Sequence, residues 1–165
     1  MKKIITSALL MTCLSTYALD VAEFNPNEPL DIESMTNCGY FYEYASGLYS
    51  QTLTDLIQNK SIKSKKELQE KEIFDNYAQS IKSYMTLTSY LLTRRITLED
   101  EEKYDQAANL LEQKDTTKAK ETNQKCIAYV KSAETLNQTK TQTKIQKETT
   151  PSYLSEVLWK SAKKH

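Results

Sequence analysis

Glycine and proline are scarce in this sequence. The 165 residues include two glycines, Gly39 and Gly47, and three prolines. Tight β-turns depend on residues that adopt positive φ, so the shortage of glycine disfavours a β-rich fold. Both glycines also lie inside one apolar, aromatic stretch. The chain is therefore predicted to be all-α.

The sequence motifs of common enzymes and metal sites are also missing. The one histidine is the last residue, His165, and there is no Gly-x-Ser-x-Gly elbow, phosphate-binding glycine loop or His-Glu-x-x-His pair. The acidic cluster at residues 99–102 lacks the Asp-x-Asp-x-Asp-Gly order of a calcium loop. We expect no catalytic residue, no cofactor and no metal, and a binding protein in preference to an enzyme.

The longest apolar run lies at the N-terminus and is too short to span a bilayer. Two lysines precede it and Ala18 follows it, which is the pattern of a short, bacterial-type signal peptide. We predict cleavage after Ala18 and a periplasmic mature chain without a transmembrane segment. Secretion and lipid attachment at Cys13 are less favoured, the latter because Thr12 occupies a position where such signals carry a small residue.

Charge is unevenly distributed along the mature chain. Residues 19–137 carry 14 basic and 20 acidic side chains, whereas residues 138–165 carry 6 basic and 2 acidic. A nucleic-acid-binding protein would have its basic patch on the folded part, so no nucleic-acid partner is expected. The pattern indicates an acidic domain followed by a basic tail.

Two cysteines remain after removal of the leader, Cys38 and Cys126. An even pair in an exported protein is most simply one disulfide. Neither cysteine lies in a Cys-x-x-Cys motif, which disfavours thiol catalysis. Each is also on the inner side of a predicted helix, as a bridge between the first and last helices of a bundle requires.

The densest apolar and aromatic segment of the mature chain runs from Asn37 to Leu56. Its apolar side chains recur at helical spacing on one broad face, so it is predicted to be the central helix. Tyr40, Tyr44 and Gly47 lie on the opposite side. In one interpretation another helix covers this side. In the other, the two tyrosines and the glycine notch bind a partner.

Apolar periodicity and capping signals predict three further helices, at about 64–94, 97–114 and 117–136, the second of them capped by Thr97. The apolar stripe of the helix at 64–94 includes Leu92 but not Leu68 or Tyr90, and the inward stripe of the helix at 97–114 includes Tyr104. The resulting fold is a small four-helix bundle-like domain with one disulfide. The predicted organisation is a signal peptide (1–18), an extended arm (19–32), the helical domain (33–136), a flexible polar linker (137–151) and a short amphipathic helix (152–165).

The last two segments differ sharply in composition. Residues 137–151 are rich in Lys, Thr and Gln and contain one aliphatic side chain, which predicts a flexible linker. Residues 152–165 include Tyr153 and Trp159 among apolar residues and end in lysines. This helix can dock back on the bundle, lie on an anionic membrane surface or enter a partner's groove, and docking back is favoured.

By elimination, the sequence favours an exported, non-enzymatic binding protein whose partner is another protein. The leading role is an inhibitor or immunity-type protein that acts on a cell-envelope enzyme. The alternative is an envelope-associated, membrane-surface or chaperone-like protein that uses the basic C-terminal helix. The candidate partner-binding residues are Tyr40, Tyr44, Gly47, Tyr153 and Trp159.

Overall fold

The computed structural model of the chain describes residues 19–113 and 116–164, and the predicted signal peptide lies outside this part. Within it the structure is helical and has no β-strand, which confirms the all-α prediction. The helices are α1 Ile32–Gln58, α2 Lys65–Gln69, α3 Glu72–Thr93, α4 Glu101–Glu112, α5 Thr116–Leu136, α6 Thr139–Glu148 and α7 Pro151–Ala162. In the same residues, no helix combines the length and the apolarity needed to cross a membrane.

Helix α1 is the centre of the fold. Asp31 caps it by accepting a hydrogen bond from the Glu33 N–H, and its 27 residues extend for about 40 Å. It packs against α3, α4, α5 and α7. Because no single neighbour can cover this length, α1 contributes to two separate apolar clusters.

The first cluster surrounds the N-terminal half of α1. Phe41 and Tyr42 contribute to it, together with side chains from α3, α4 and α5. Leu19 and Val21, from the segment before α1, also belong to it, and the Val21 carbonyl accepts a hydrogen bond from Lys125. The arm is therefore attached to the domain.

The second cluster surrounds the C-terminal half of α1. It combines side chains of α1, α2, the start of α3, and α7. Its buried members are Leu53, Ile57, Ile62, Leu68, Phe74, Tyr77, Leu154, Leu158 and Ala162.

A disulfide between Cys38 and Cys126 joins α1 to α5, with the two Cα atoms 5.4 Å apart. This confirms the predicted pairing. Both cysteines are fully buried in the first cluster. The bond therefore connects residues 88 positions apart inside the first cluster.

The second predicted helix is interrupted at residues 70–71 and forms α2 and α3. Ser64 caps α2 through its hydroxyl, which accepts a hydrogen bond from the Glu67 N–H at 3.1 Å, as its capping-box spacing predicts. Leu68, which is out of phase with the α3 apolar stripe, is fully buried. The interruption lets α2 turn independently and place Leu68 in the second cluster.

The buried side of α3 is broader than its apolar stripe. Tyr90, outside that stripe, is 4 % exposed, whereas Leu92, which belongs to the predicted stripe, is 59 % exposed. Helix α3 is contacted by α1, α5 and α6, so residues on several sides are buried. They include the small polar residues Ser80, Ser83 and Thr86.

Helix α4 begins later than the sequence predicts. The N-cap is Asp100, not Thr97, and its carboxylate accepts hydrogen bonds from the backbone of residues 102 and 103. Arg95, two residues after the end of α3, has a φ of 60°, so the backbone does not continue as a helix there. Residues 96–100 form no regular secondary structure and pass alongside α1, where Leu98 lies next to Gly39, before α4 begins.

The predicted flexible linker is not confirmed, because residues 139–148 form α6. Its aliphatic residue, Ile145, is 2 % exposed, and the helix packs against α3. Just before α6, the Asn137 amide donates a hydrogen bond to the Thr86 carbonyl at 3.1 Å. One buried side chain with backbone anchoring is enough to order a segment that average composition describes as flexible.

Helix α7 docks back on the domain, which confirms the favoured alternative for the C-terminal segment. Thr150 caps α7, and the apolar side of α7 packs into the second cluster beside α1 and α2. The Gln69 side chain reinforces this contact by donating a hydrogen bond to the Ser155 hydroxyl at 2.7 Å.

Reduction of the disulfide is expected to destabilise the domain. For a loop of this length the chain-entropy estimate is roughly 4.5 kcal/mol, an upper figure because native strain lowers it. Purified mature protein should contain no titratable thiol, and the Cys38→Ala/Cys126→Ala variant should melt well below the wild type in calorimetry. Two titratable thiols in the oxidised, folded protein would contradict the assignment.

The Ile145→Ala variant tests whether α6 belongs to the folded unit. Truncation of a buried isoleucine should cost about 2–4 kcal/mol of unfolding free energy and speed proteolysis at Lys140 and Lys144. Ile127, which is 39 % exposed, provides the matched control. Ile127→Ala should change stability by less than about 0.5 kcal/mol. Equal losses of unfolding free energy in the two variants, measured by chemical denaturation, would instead support a flexible linker.

Candidate functional site

Another helix covers part of the side of α1 that the sequence nominates for binding. Tyr40 is 3 % exposed, and its hydroxyl accepts a hydrogen bond from the Asp100 N–H at 2.7 Å, at the start of α4. Gly39 explains how the chain comes so close, because a Cβ there would lie 2.8 Å from Leu98 Cδ1. Tyr40 therefore fits the interpretation in which another helix covers this side of α1, and it is not available to a partner in this structure.

Tyr44, one turn further along α1, remains partly exposed. Its hydroxyl donates a hydrogen bond to the Glu112 carboxylate, at the last residue of α4. Because that bond and the nearby negative charge disfavour the phenolate, the pKa of Tyr44 is raised to about 12. The ring packs edge-on against Tyr104, with centroids 5.3 Å apart and an interplanar angle of 72°. Tyr44 is thus held in one orientation by two α4 side chains.

Gly47 is exposed and lies three residues after Tyr44, on the same side of α1. No heavy atom of the described chain, beyond its neighbours and the backbone of its own helix, would lie within 4 Å of a Cβ at Gly47. A glycine in a helix interior costs about 1 kcal/mol relative to alanine. The packing that accounts for Gly39 therefore does not account for Gly47. We call the surface formed by Tyr44, Gly47, Tyr104 and Glu112 the α1–α4 face.

The two candidate residues of α7 lie elsewhere. Tyr153 is exposed, and so is Val157, one turn later on the same side. Trp159 is partly buried on another side of the helix, where the Lys163 ammonium lies 4.6 Å from its ring centroid. Helix α7 packs on the second cluster, whereas α4 packs on the first. The five predicted contact residues are therefore divided between two regions, and Tyr153 and Trp159 do not share a surface.

Sequence reasoning missed Tyr104 and Glu112 as site residues. It assigned Tyr104 to the inward stripe of the third predicted helix and Glu112 to no role. Their positions are eight residues apart, which places them on the same side of a helix. That spacing was visible, but its relation to Tyr44 depends on how α4 crosses α1.

The α1–α4 face offers these recognition groups: two tyrosine phenols, a carboxylate and, at Gly47, exposed backbone. Elsewhere, burial raises the pKa of Glu43, and burial together with the negative charge of Glu43 raises the pKa of Tyr84. Within residues 19–113 and 116–164 there is no group of three His, Cys, Asp or Glu side chains placed to hold a metal ion.

No protein-family model matches this chain, and comparisons with curated proteins and with solved structures find no significant match. The geometry of the described residues is therefore the basis for a functional proposal.

The two glycines should respond differently to alanine. Gly47→Ala is expected to stabilise the protein by up to about 1 kcal/mol, because helix propensity improves and nothing obstructs the methyl group. Gly39→Ala should gain less, since the Leu98 side chain must move. For a chain of this size, 1 kcal/mol shifts the melting temperature by about 2–4 °C. A lower melting temperature for Gly47→Ala would show that the open position is occupied in the folded chain.

Proposed function

We propose that the mature chain is an exported, non-enzymatic binding protein that uses the α1–α4 face to contact another protein. The observation that carries the proposal is Gly47, an exposed helix-interior glycine three residues after Tyr44, which is partly exposed and packs against the exposed Tyr104. Tyrosine supplies a large amphipathic contact area at low entropic cost, and interface hot spots are enriched in it. A glycine lets a partner's backbone approach α1 closely.

The rigidity of Tyr44 also supports this role. Its hydroxyl is fixed by Glu112 and its ring by Tyr104, so association would not have to order it. The carboxylate of Glu112, on a domain with an excess of acidic residues, favours a partner with a basic patch.

The disulfide between Cys38 and Cys126 fits a protein that folds outside the cytoplasm. With the bacterial-type leader, this supports a periplasmic location in the proposal. The role we favour is inhibition of, or immunity to, an enzyme of the cell envelope. Such a role requires a stable binding surface and no catalytic machinery.

A second candidate function is attachment to the envelope through α7, either as a membrane-surface protein or as a chaperone-like protein. It is supported by the exposed pair Tyr153 and Val157. Lys160 falls on the same side of the helix and could contact anionic lipid headgroups. This surface is separate from the α1–α4 face, so variants can distinguish the two functions.

The Gly47→Gln variant tests the proposal because its expected effects on stability and binding have opposite signs. Glutamine is a better helix former, so the melting temperature should not fall. The same side chain would fill the notch, and affinity for the partner should drop by about 2 kcal/mol. The partner is first isolated by co-purification from the periplasm, and its binding to each variant is then measured by calorimetry.

The Tyr153→Ala/Val157→Ala variant is the control on α7. It should bind the partner as the wild type does. If this variant loses binding and Gly47→Gln retains it, the contact is on α7 and the α1–α4 face is excluded.

A further inference from the structure

A cleft of about 610 Å³ lies where the end of α1, the loop after it and the end of α7 meet. Its volume is in the range of small-molecule sites, roughly 300–1,000 Å³. The apolar part of the lining comes from Ile57, Ile62, Trp159 and Ala162. All four side chains belong to the second cluster or pack against it, so the apolar floor is continuous with the core.

The polar part of the lining is strongly basic. Lys60, Lys63 and Lys163 line the cleft, and no carboxylate of residues 19–113 and 116–164 does. The ion pairs recorded between described residues use other lysines. The Lys163 ammonium lies over the face of Trp159. Three cations without acidic partners in the described chain thus surround an apolar floor.

The backbone at Lys60 points to the same use. Its φ is 63°, in the left-handed region, at the position after the α1 C-cap, where glycine is the usual residue. A long side chain is disfavoured there on conformational grounds. A lysine at position 60 is explained if its ammonium group is needed at the edge of the cleft.

We propose that this cleft binds a single-chain anionic amphiphile, an acyl chain that ends in a carboxylate. The chain would lie against Ile57, Ile62 and Trp159, and the carboxylate between the lysine ammonium groups. Charge complementarity selects this occupant, since an apolar floor alone would accept any hydrophobic group, and the lysines favour an anionic head.

The position of the cleft favours a monomeric ligand over a bilayer. The side of α7 that could lie on a membrane carries Tyr153 and Val157, whereas Trp159 is on the side of the cleft. A bilayer that contacts the first side would not place a headgroup among Lys60, Lys63 and Lys163. The cleft is also remote from the α1–α4 face, so this proposal does not depend on the proposed function.

Trp159 is the one tryptophan of the chain, so its fluorescence reports on the cleft directly. Titration of the mature protein with decanoate, kept below its micellar concentration, should give a saturable blue shift of the emission. Decyltrimethylammonium has the same chain with a cationic head, and acetate has the head without the chain. Each should bind roughly tenfold more weakly than decanoate, or not at all.

The Lys60→Gln/Lys63→Gln/Lys163→Gln variant should weaken decanoate binding roughly tenfold. The matched control, Lys118→Gln/Lys120→Gln/Lys131→Gln, removes the same charge from exposed positions of α5 and should change binding less than about twofold. All six lysines are exposed, so both variants should fold.

Three results would overturn the proposal. Equal binding of decyltrimethylammonium would show non-selective hydrophobic partitioning. Equal weakening by both triple variants would show an effect of net charge alone. A Trp159 shift with anionic phospholipid vesicles but none with decanoate would assign the surface to a membrane.

Discussion

Every helix of the described structure packs against α1, or against a helix that does so. This follows from the length and composition of α1, which is too long for one cluster and apolar over too much of its circumference for one neighbour. Its N-terminal half is tied to α5 by the disulfide, and its C-terminal half is held by apolar burial against α2, α3 and α7. Tyr44 of the α1–α4 face is therefore on the half of α1 that carries the covalent link, and Gly47 lies just past the midpoint of the helix. The lysine-lined cleft is on the half that has no covalent link to another helix.

Fold class and disulfide could be predicted because each rests on a local or countable property. The scarcity of glycine, the helical periodicity and the parity of the cysteines require no knowledge of which helices meet. The burial of Tyr90 could not be predicted in the same way. It depends on three neighbours packing around α3, which buries serine and threonine as well as apolar residues. A search for one apolar stripe overlooks such residues.

The flexible-linker prediction is not confirmed, again because the outcome depends on which helices meet. The composition of residues 137–151 correctly indicates that they have few apolar side chains to bury. Whether the segment is ordered depends on where its one aliphatic side chain lies. Ile145 reaches α3, and the Asn137 amide is bonded to the Thr86 carbonyl. These are contacts with residues more than 50 positions away. Only the tertiary fold could show that so few contacts are enough.

In the candidate site, too, the residue types are known from the sequence, but the contacts of each residue depend on the fold. Gly39 and Gly47 are eight residues apart on one helix and are indistinguishable by type. The first accommodates Leu98, and the second faces open space. Likewise, the Tyr40 hydroxyl is hydrogen-bonded to the backbone of the α4 N-cap, whereas Tyr44 remains partly exposed next to Tyr104. The sequence could nominate this side of α1, but the line between core and surface depends on where α4 crosses it.

Charge distribution acquires a different meaning once α7 is docked. The sequence shows an acidic domain and a basic tail, but the fold joins them, with Glu156 of α7 paired to Lys65. The cleft then takes Lys60 and Lys63 from the acidic part of the chain and Lys163 from the basic tail. Neither segment alone supplies all three lysines, so this arrangement of positive charge exists only while α7 is packed on the second cluster. Burial of Leu154 and Leu158 therefore maintains the cleft as well as stabilising the fold.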